Sequence, residues 1–145
     1  AYRNLSPELM SQLADRNIDM ITPGFGILTS RVCDIENPDF MLKGTRPTVV
    51  QNPNSGNPYL NLSEMHAAKL SGMAWKDSRD ILNQVFDCLY DADNTFEHIW
   101  HQGDLVIWDN QALQHARGSL SGVGKRILQR VIVGTEGVAP HTAMA

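Results

Sequence analysis

GDLVIWDN, residues 103–110, is the stretch whose reading decides the fold. Gly103-Asp104 has turn composition, and Leu105-Val106-Ile107-Trp108 behind it is a short uninterrupted apolar run, the pattern of a strand buried on both faces. Upstream, residues 95–100 alternate, with Phe96, His98 and Trp100 on one side and Glu97 and Ile99 on the other, as a half-buried strand does. Downstream, His115 precedes a Gly- and Ser-rich loop at 118–124. Residues 126–133 then end in β-branched side chains and predict a further strand. The C-terminal half reads as mostly antiparallel β.

Working back toward the start, residues 78–90 carry Ile81, Leu82, Val85, Phe86 and Leu89 at helical spacing, which places one apolar stripe on a helix. Two β-prone runs, 48–51 and 59–62, flank a cluster of turn formers at 52–58 and predict a hairpin. Residues 16–47 show no sustained period and are punctuated by Pro23, Gly24, Gly26, Pro38 and Gly44, so they read as a long loop. Loops of that length inside compact domains are uncommon and are usually lids, binding loops or disordered segments. At the start, Ser6-Pro7-Glu8 supplies an N-cap, a first-turn proline and an early acid, with Leu5 and Met10 spaced to staple across the cap; a short helix is expected to about Asp15.

A chain of 145 residues fits one domain. Twelve Lys and Arg against sixteen Asp and Glu give a net charge of -4, without the basic excess that a phosphate backbone demands, so nucleic acid is not an expected partner. No apolar run reaches membrane-spanning length, and no basic region precedes an apolar one at the start, so no membrane partner is expected. Cys33 and Cys88 belong to no CxxC or Cys/His cluster and read as unpaired thiols of a reducing compartment, which makes cytoplasm the default location. Homo-oligomerisation stays open.

Single histidines in half-buried strands are usually structural, and His66 and His141 are placed in that class. His98 and His101 have odd separation, which puts them on opposite faces of a strand and argues against a shared metal. Arg126 and Arg130 are four apart and project to one face of a strand, with Leu128 between them. If that face is solvated, both are ordinary surface cations. If it points inward, each needs an anion, and a guanidinium can grip a carboxylate or sulfonate with two parallel hydrogen bonds. A neighbouring histidine could then be one ligand of a facial two-His, one-carboxylate iron site, and His115 is the candidate.

The run 103–110, His115 and the arginine pair, with spacings of eleven (115 to 126) and four (126 to 130), closely resemble the C-terminal part of the taurine dioxygenase and 2,4-dichlorophenoxyacetate dioxygenase (TauD/TfdA-like) family. The opening residues 1–9 and the hairpin resemble the family as well. The resemblance implies a mainly β chain with flanking helices, part of a double-stranded β-helix (jelly roll), in which residues 1–145 form the C-terminal part of one 2-oxoglutarate-dependent dioxygenase domain with a lid loop at about 17–45. It implies Fe(II) and 2-oxoglutarate, with O2 and a small anionic substrate that is hydroxylated as succinate and CO2 are released. It further implies that His115 is the distal metal ligand, Arg126 and Arg130 bind the co-substrate, and Arg130 and Trp108 border the substrate. The chain holds no His-x-Asp or His-x-Glu, the motif that supplies the family's other two ligands, nor the family's co-substrate threonine; both belong upstream of the segment matched by Ala1. The alternative reading is a non-enzymatic jelly-roll binding or assembly module, or an inactive fragment without that motif.

Overall fold

The computed structural model describes residues 1–22, 31–36, 42–116, 118, 122, 124 and 127–133. The chain divides into two units, Ala1–Gln114 and His115–Ala145. Among the described residues the first is mainly β, with two α-helices.

Helix α1, Pro7–Leu13, begins as its sequence dictates: the Ser6 hydroxyl accepts the Leu9 N–H at 3.2 Å, Pro7 occupies the first turn, and Leu5 and Met10 both pack into the core. It stops at Leu13, two residues before the expected end, because Asp15 turns left-handed (φ 55°) and sends the chain into β1, Asn17–Ile21. Aspartate is among the few non-glycine residues that tolerate this conformation. Strands β1, β2 (Leu42–Pro47) and β5 (Ala67–Leu70) form an antiparallel sheet of order β2-β1-β5. The long loop expected over residues 16–47 is therefore corrected at both ends, where strands form. Two features hid these strands. The ladder of β1 slips at Asp19/Met20 toward β5 and at Met20/Ile21 toward β2, which breaks the period of two. The edge strand β2 carries Gly44, Arg46 and Pro47, residue types that a sheet edge admits and a central strand does not. Between β1 and β2, a short 3-10 turn, Val32–Asp34, buries Val32 and Cys33; residues 23–30 and 37–41 lie outside the described residues.

The hairpin forms as expected from β3, Val49–Gln51, and β4, Pro58–Leu60, with Val50 opposite Tyr59. Thr48, fully buried ahead of it, places its hydroxyl between the Leu13 and Arg16 carbonyls at 2.7 and 2.8 Å and so ties the end of α1 to the sheet. Helix α2, Trp75–Leu89, buries Ser78, Leu82, Val85 and Phe86, the stripe visible in the sequence. It begins three residues before Ser78 because that hydroxyl serves β5, accepting the Leu70 N–H at 2.8 Å. Replacing Ser78 by alanine strands that donor inside the core, so a loss of about 1–3 kcal/mol is expected in urea unfolding of the full-length protein; an unchanged midpoint would rule this out. Leu5, Leu13, Ile18, Cys33, Leu62, Ala67, Leu70, Leu82, Val85 and Phe86 form one buried cluster beneath the sheet and α2. Cys33 and Cys88 are free thiols, and burial pushes the Cys33 thiol up to about 11. No helix among the described residues is long and apolar enough to cross a membrane.

The strands expected at 95–100, 105–108 and 126–133 are not formed among the described residues. A strand is a pairing, and among the described residues only the alternation of exposure is seen: Leu105 and Ile107 are 82% and 85% exposed, while Val106 and Trp108 between and behind them are half-buried. In the second unit, residues 127–133 have no assigned regular structure and are all exposed, with Val131 86% exposed. Leu128 and Arg130 on one side of 127–133, and Ile127, Gln129 and Val131 on the other, are exposed; Arg126 lies outside the described residues.

Candidate functional site

The approach to the site is a turn. Gly103 takes φ 93°, a conformation that side chains rarely adopt, and lets the chain fold back so that Asp104 Oδ2 accepts the His101 N–H at 2.8 Å. The same oxygen lies 3.1 Å from His98 Nε2 and 3.6 Å from His101 Nδ1. The expectation that these two histidines occupy opposite faces is thus corrected: without a strand, both rings converge on one carboxylate. The backbone N–H of His101, then His98, hold the Asp104 carboxyl below the usual range. The His98 ring stands edge-on to Trp100 at 4.7 Å and faces Phe96 at 6.5 Å, which preserves the predicted common side of these three residues.

Beyond residues 105–108, Asp109 opens a second turn. Its Oδ1 accepts the Gln111 N–H at 2.9 Å, and its carbonyl accepts the Leu113 N–H at 3.0 Å. Its Oδ2 accepts Asn52 Nδ2 from the hairpin turn at 2.6 Å. These donors, the Gln111 N–H foremost and Asn52 next, keep the Asp109 carboxyl below its usual range. The turn ends on Gln114, which donates to the Leu62 carbonyl and accepts from the Tyr90 hydroxyl at 3.3 Å. Trp108 sits half-buried just before this turn, with its Nε1 3.4 Å from Asn110 Oδ1.

Of the other residues singled out by sequence, His115 is exposed and opens the second unit, and Arg130 is exposed within 127–133. Arg126 and His141 lie outside the described residues. His66 bonds Ser63 through its ring at 2.9 Å. The bonds that Asn52 and Gln114 make were not foreseen. An Asx turn at Asp109-Asn110 was readable from composition, but a partner 57 residues upstream was not.

An iron centre needs several converging ligands. Among the described residues, no three His, Cys, Asp or Glu side chains form a group that could hold a metal ion. The described part of this chain does not by itself fit one, and His115 offers a single imidazole.

Comparison with known proteins supplies the context for this incomplete constellation. The model of the taurine catabolism dioxygenase TauD, TfdA family matches residues 1–132. The chain belongs to this family. Among curated relatives, an alpha-ketoglutarate-dependent sulfate ester dioxygenase of Pseudomonas putida is 29% identical over 93% of the chain and 39% of its own length. An alkylsulfatase of Acinetobacter baylyi is 30% identical over 62% of the chain and 28% of its own length. An (S)-phenoxypropionate/alpha-ketoglutarate-dioxygenase of Delftia acidovorans is 36% identical over 48% of the chain and 24% of its own length. The chain thus spans between about a quarter and two-fifths of the length of these relatives. No solved structure matches.

Proposed function

We propose that residues 1–145 are the C-terminal part of an Fe(II)- and 2-oxoglutarate-dependent dioxygenase domain that hydroxylates a small anionic molecule. One observation carries this reading. The family match runs through His115, Arg126 and Arg130, whose spacings of eleven and four suit a ligand followed by two anion-binding groups on one strand face. Iron with 2-oxoglutarate supplies the oxidising chemistry: one atom of O2 enters succinate and the other the product hydroxyl, with CO2 released. The chain's own share is positional. His115 contributes one imidazole, Arg126 pairs with a carboxylate of the co-substrate, and Trp108 walls the substrate. Arg130 provides counter-charge to both molecules. The relatives' names, sulfate ester and phenoxypropionate, share an anionic headgroup that a guanidinium recognises.

The jelly roll is part of the same proposal. Leu105 and Ile107, and likewise Ile127, Val131 and Val133, are exposed apolar residues at alternating positions, the pattern of strands that would complete their ladder against the remainder of a longer polypeptide.

The test is 2-oxoglutarate-dependent succinate release by the full-length protein with Fe(II), with alkyl sulfates and phenoxyalkanoates as substrates. Turnover that requires both Fe(II) and 2-oxoglutarate is expected. No succinate release together with no Fe(II) binding would leave the binding or assembly module in its place.

A further inference from the structure

We propose that Asn110, held through Asp109 and Asn52, is a positioning residue for Trp108: its side-chain oxygen fixes the orientation of the indole that borders the substrate. The task of that indole rests on the reading above; its support lies wholly within the unit Ala1–Gln114.

Trp108 is half-buried, so part of its ring is open to contact. An indole carries one polar handle, the Nε1–H, and an acceptor for it selects one orientation of a ring that otherwise turns about its side-chain torsions. Here that acceptor is Asn110 Oδ1 at 3.4 Å. A contact of that length has little strength of its own, so it orients the ring only because Asn110 is itself held. The backbone on either side of Asn110 is pinned by Asp109, whose Oδ1 accepts the Gln111 N–H at 2.9 Å and whose carbonyl accepts the Leu113 N–H at 3.0 Å. Asp109 is pinned in turn by Asn52, whose Nδ2 donates to the other carboxylate oxygen at 2.6 Å. Asn52 is 4% exposed, and its Oδ1 accepts from the Asn54 and Ser55 N–H groups at 2.9 and 3.1 Å, which fixes the amide and leaves Nδ2 as the donor to Asp109. Each step from the hairpin turn to the indole is thus a hydrogen bond or a peptide bond. The bonds that build the turn come from Asp109 and the backbone, so removing the acceptor at position 110 releases the ring and leaves the turn intact. A released wall places the substrate less well, while 2-oxoglutarate, assigned above to Arg126 and Arg130, keeps its own contacts.

The experiment compares the full-length protein with N110L, N110D and D109N. The first readout, taken without metal, is the NMR resonance and hydrogen exchange of the Trp108 Nε1–H, assigned by its loss in W108F. Trp75, whose Nε1 donates to the Cys33 carbonyl at 3.0 Å, is the internal control. In N110L the Trp108 signal is expected to move upfield and to exchange about two- to tenfold faster, with the Gln111 and Leu113 amides and the Trp75 indole unchanged. N110D keeps an acceptor oxygen and should stay near wild type. D109N leaves one acceptor oxygen for two donors, so it should disturb both turn amides and the Trp108 indole. The second readout is turnover with Fe(II) and 2-oxoglutarate. N110L is expected to raise the KM of an alkyl sulfate or phenoxyalkanoate about three- to tenfold and to release more succinate than hydroxylated product, with the affinity for 2-oxoglutarate unchanged. An unmoved Trp108 resonance in N110L or D109N, a shift in N110D as large as that in N110L, or a moved indole with unchanged substrate KM and coupling would each overturn the proposal. Absence of succinate release by the wild type overturns the functional reading and with it the task of the indole, while the Trp108 resonance decides its support separately.

Discussion

Phe86→Ala is expected to destabilise the folded protein by about 3–5 kcal/mol, a large part of the roughly 5–15 kcal/mol that holds a domain together. Phe86 is 0% exposed and lies in the central stripe of α2, facing the core cluster that joins α1, the sheet and the hairpin. Its ring stacks on Tyr90 with centroids 6.2 Å apart and carries the Arg31 guanidinium 5.4 Å above it. Arg31 also bonds the Asn83 side chain and pairs with Asp87 at 2.8 Å, so the 3-10 turn at Val32–Asp34 is tied to α2 around this ring. The ring dominates over the ion pair, because the Asp87 side chain is 72% exposed and pairs of that kind contribute at most about 1 kcal/mol. Urea unfolding of the full-length protein measures the loss, and Phe86→Leu, which keeps most of the apolar volume, should recover much of it. A loss below about 1 kcal/mol for the alanine variant would mean that this cluster is not the principal core.

The elements that could be read in advance are those whose signals are local. Ser6, Pro7 and Glu8 specify the start of α1 within three residues, the α2 stripe repeats within one helix, and the turn formers at 52–58 lie inside the hairpin they close. Strands β1 and β2 could not be read because their evidence is relational: Asn17 is opposite Pro47 and Asp19 is opposite Thr45, pairings that bridge residues with no common period. Residues 105–108 and 127–133 show the opposite failure. Their sequence carries the strand pattern, but backbone becomes a strand only when another strand completes the ladder. The candidate site divides in the same manner. The His115, Arg126 and Arg130 spacing is legible because it lies along one stretch of chain, whereas the bond from Asn52 to Asp109 depends on two turns meeting.

Arg126→Ala carries the largest functional effect expected of this chain. If Arg126 pairs with a carboxylate of 2-oxoglutarate inside a water-poor pocket, truncation removes a charge-assisted, bidentate contact and leaves an anion without its counter-charge. Truncating one member of such a pair costs about 2–5 kcal/mol. At about 1.4 kcal/mol per decade, the apparent affinity of the full-length protein for 2-oxoglutarate should fall between roughly thirtyfold and a few thousandfold. Arg126→Lys separates charge from shape: an ammonium keeps the attraction but cannot reproduce two parallel hydrogen bonds, so it should recover only part of the loss. Arg130→Ala should weaken the anionic substrate as well as the co-substrate, because the proposed function gives that side chain both neighbours. The measurement is succinate release titrated with 2-oxoglutarate at saturating Fe(II), repeated with the organic substrate varied. Unchanged co-substrate affinity in Arg126→Ala would return this arginine to the solvated class, because a guanidinium already in water loses little when it is removed.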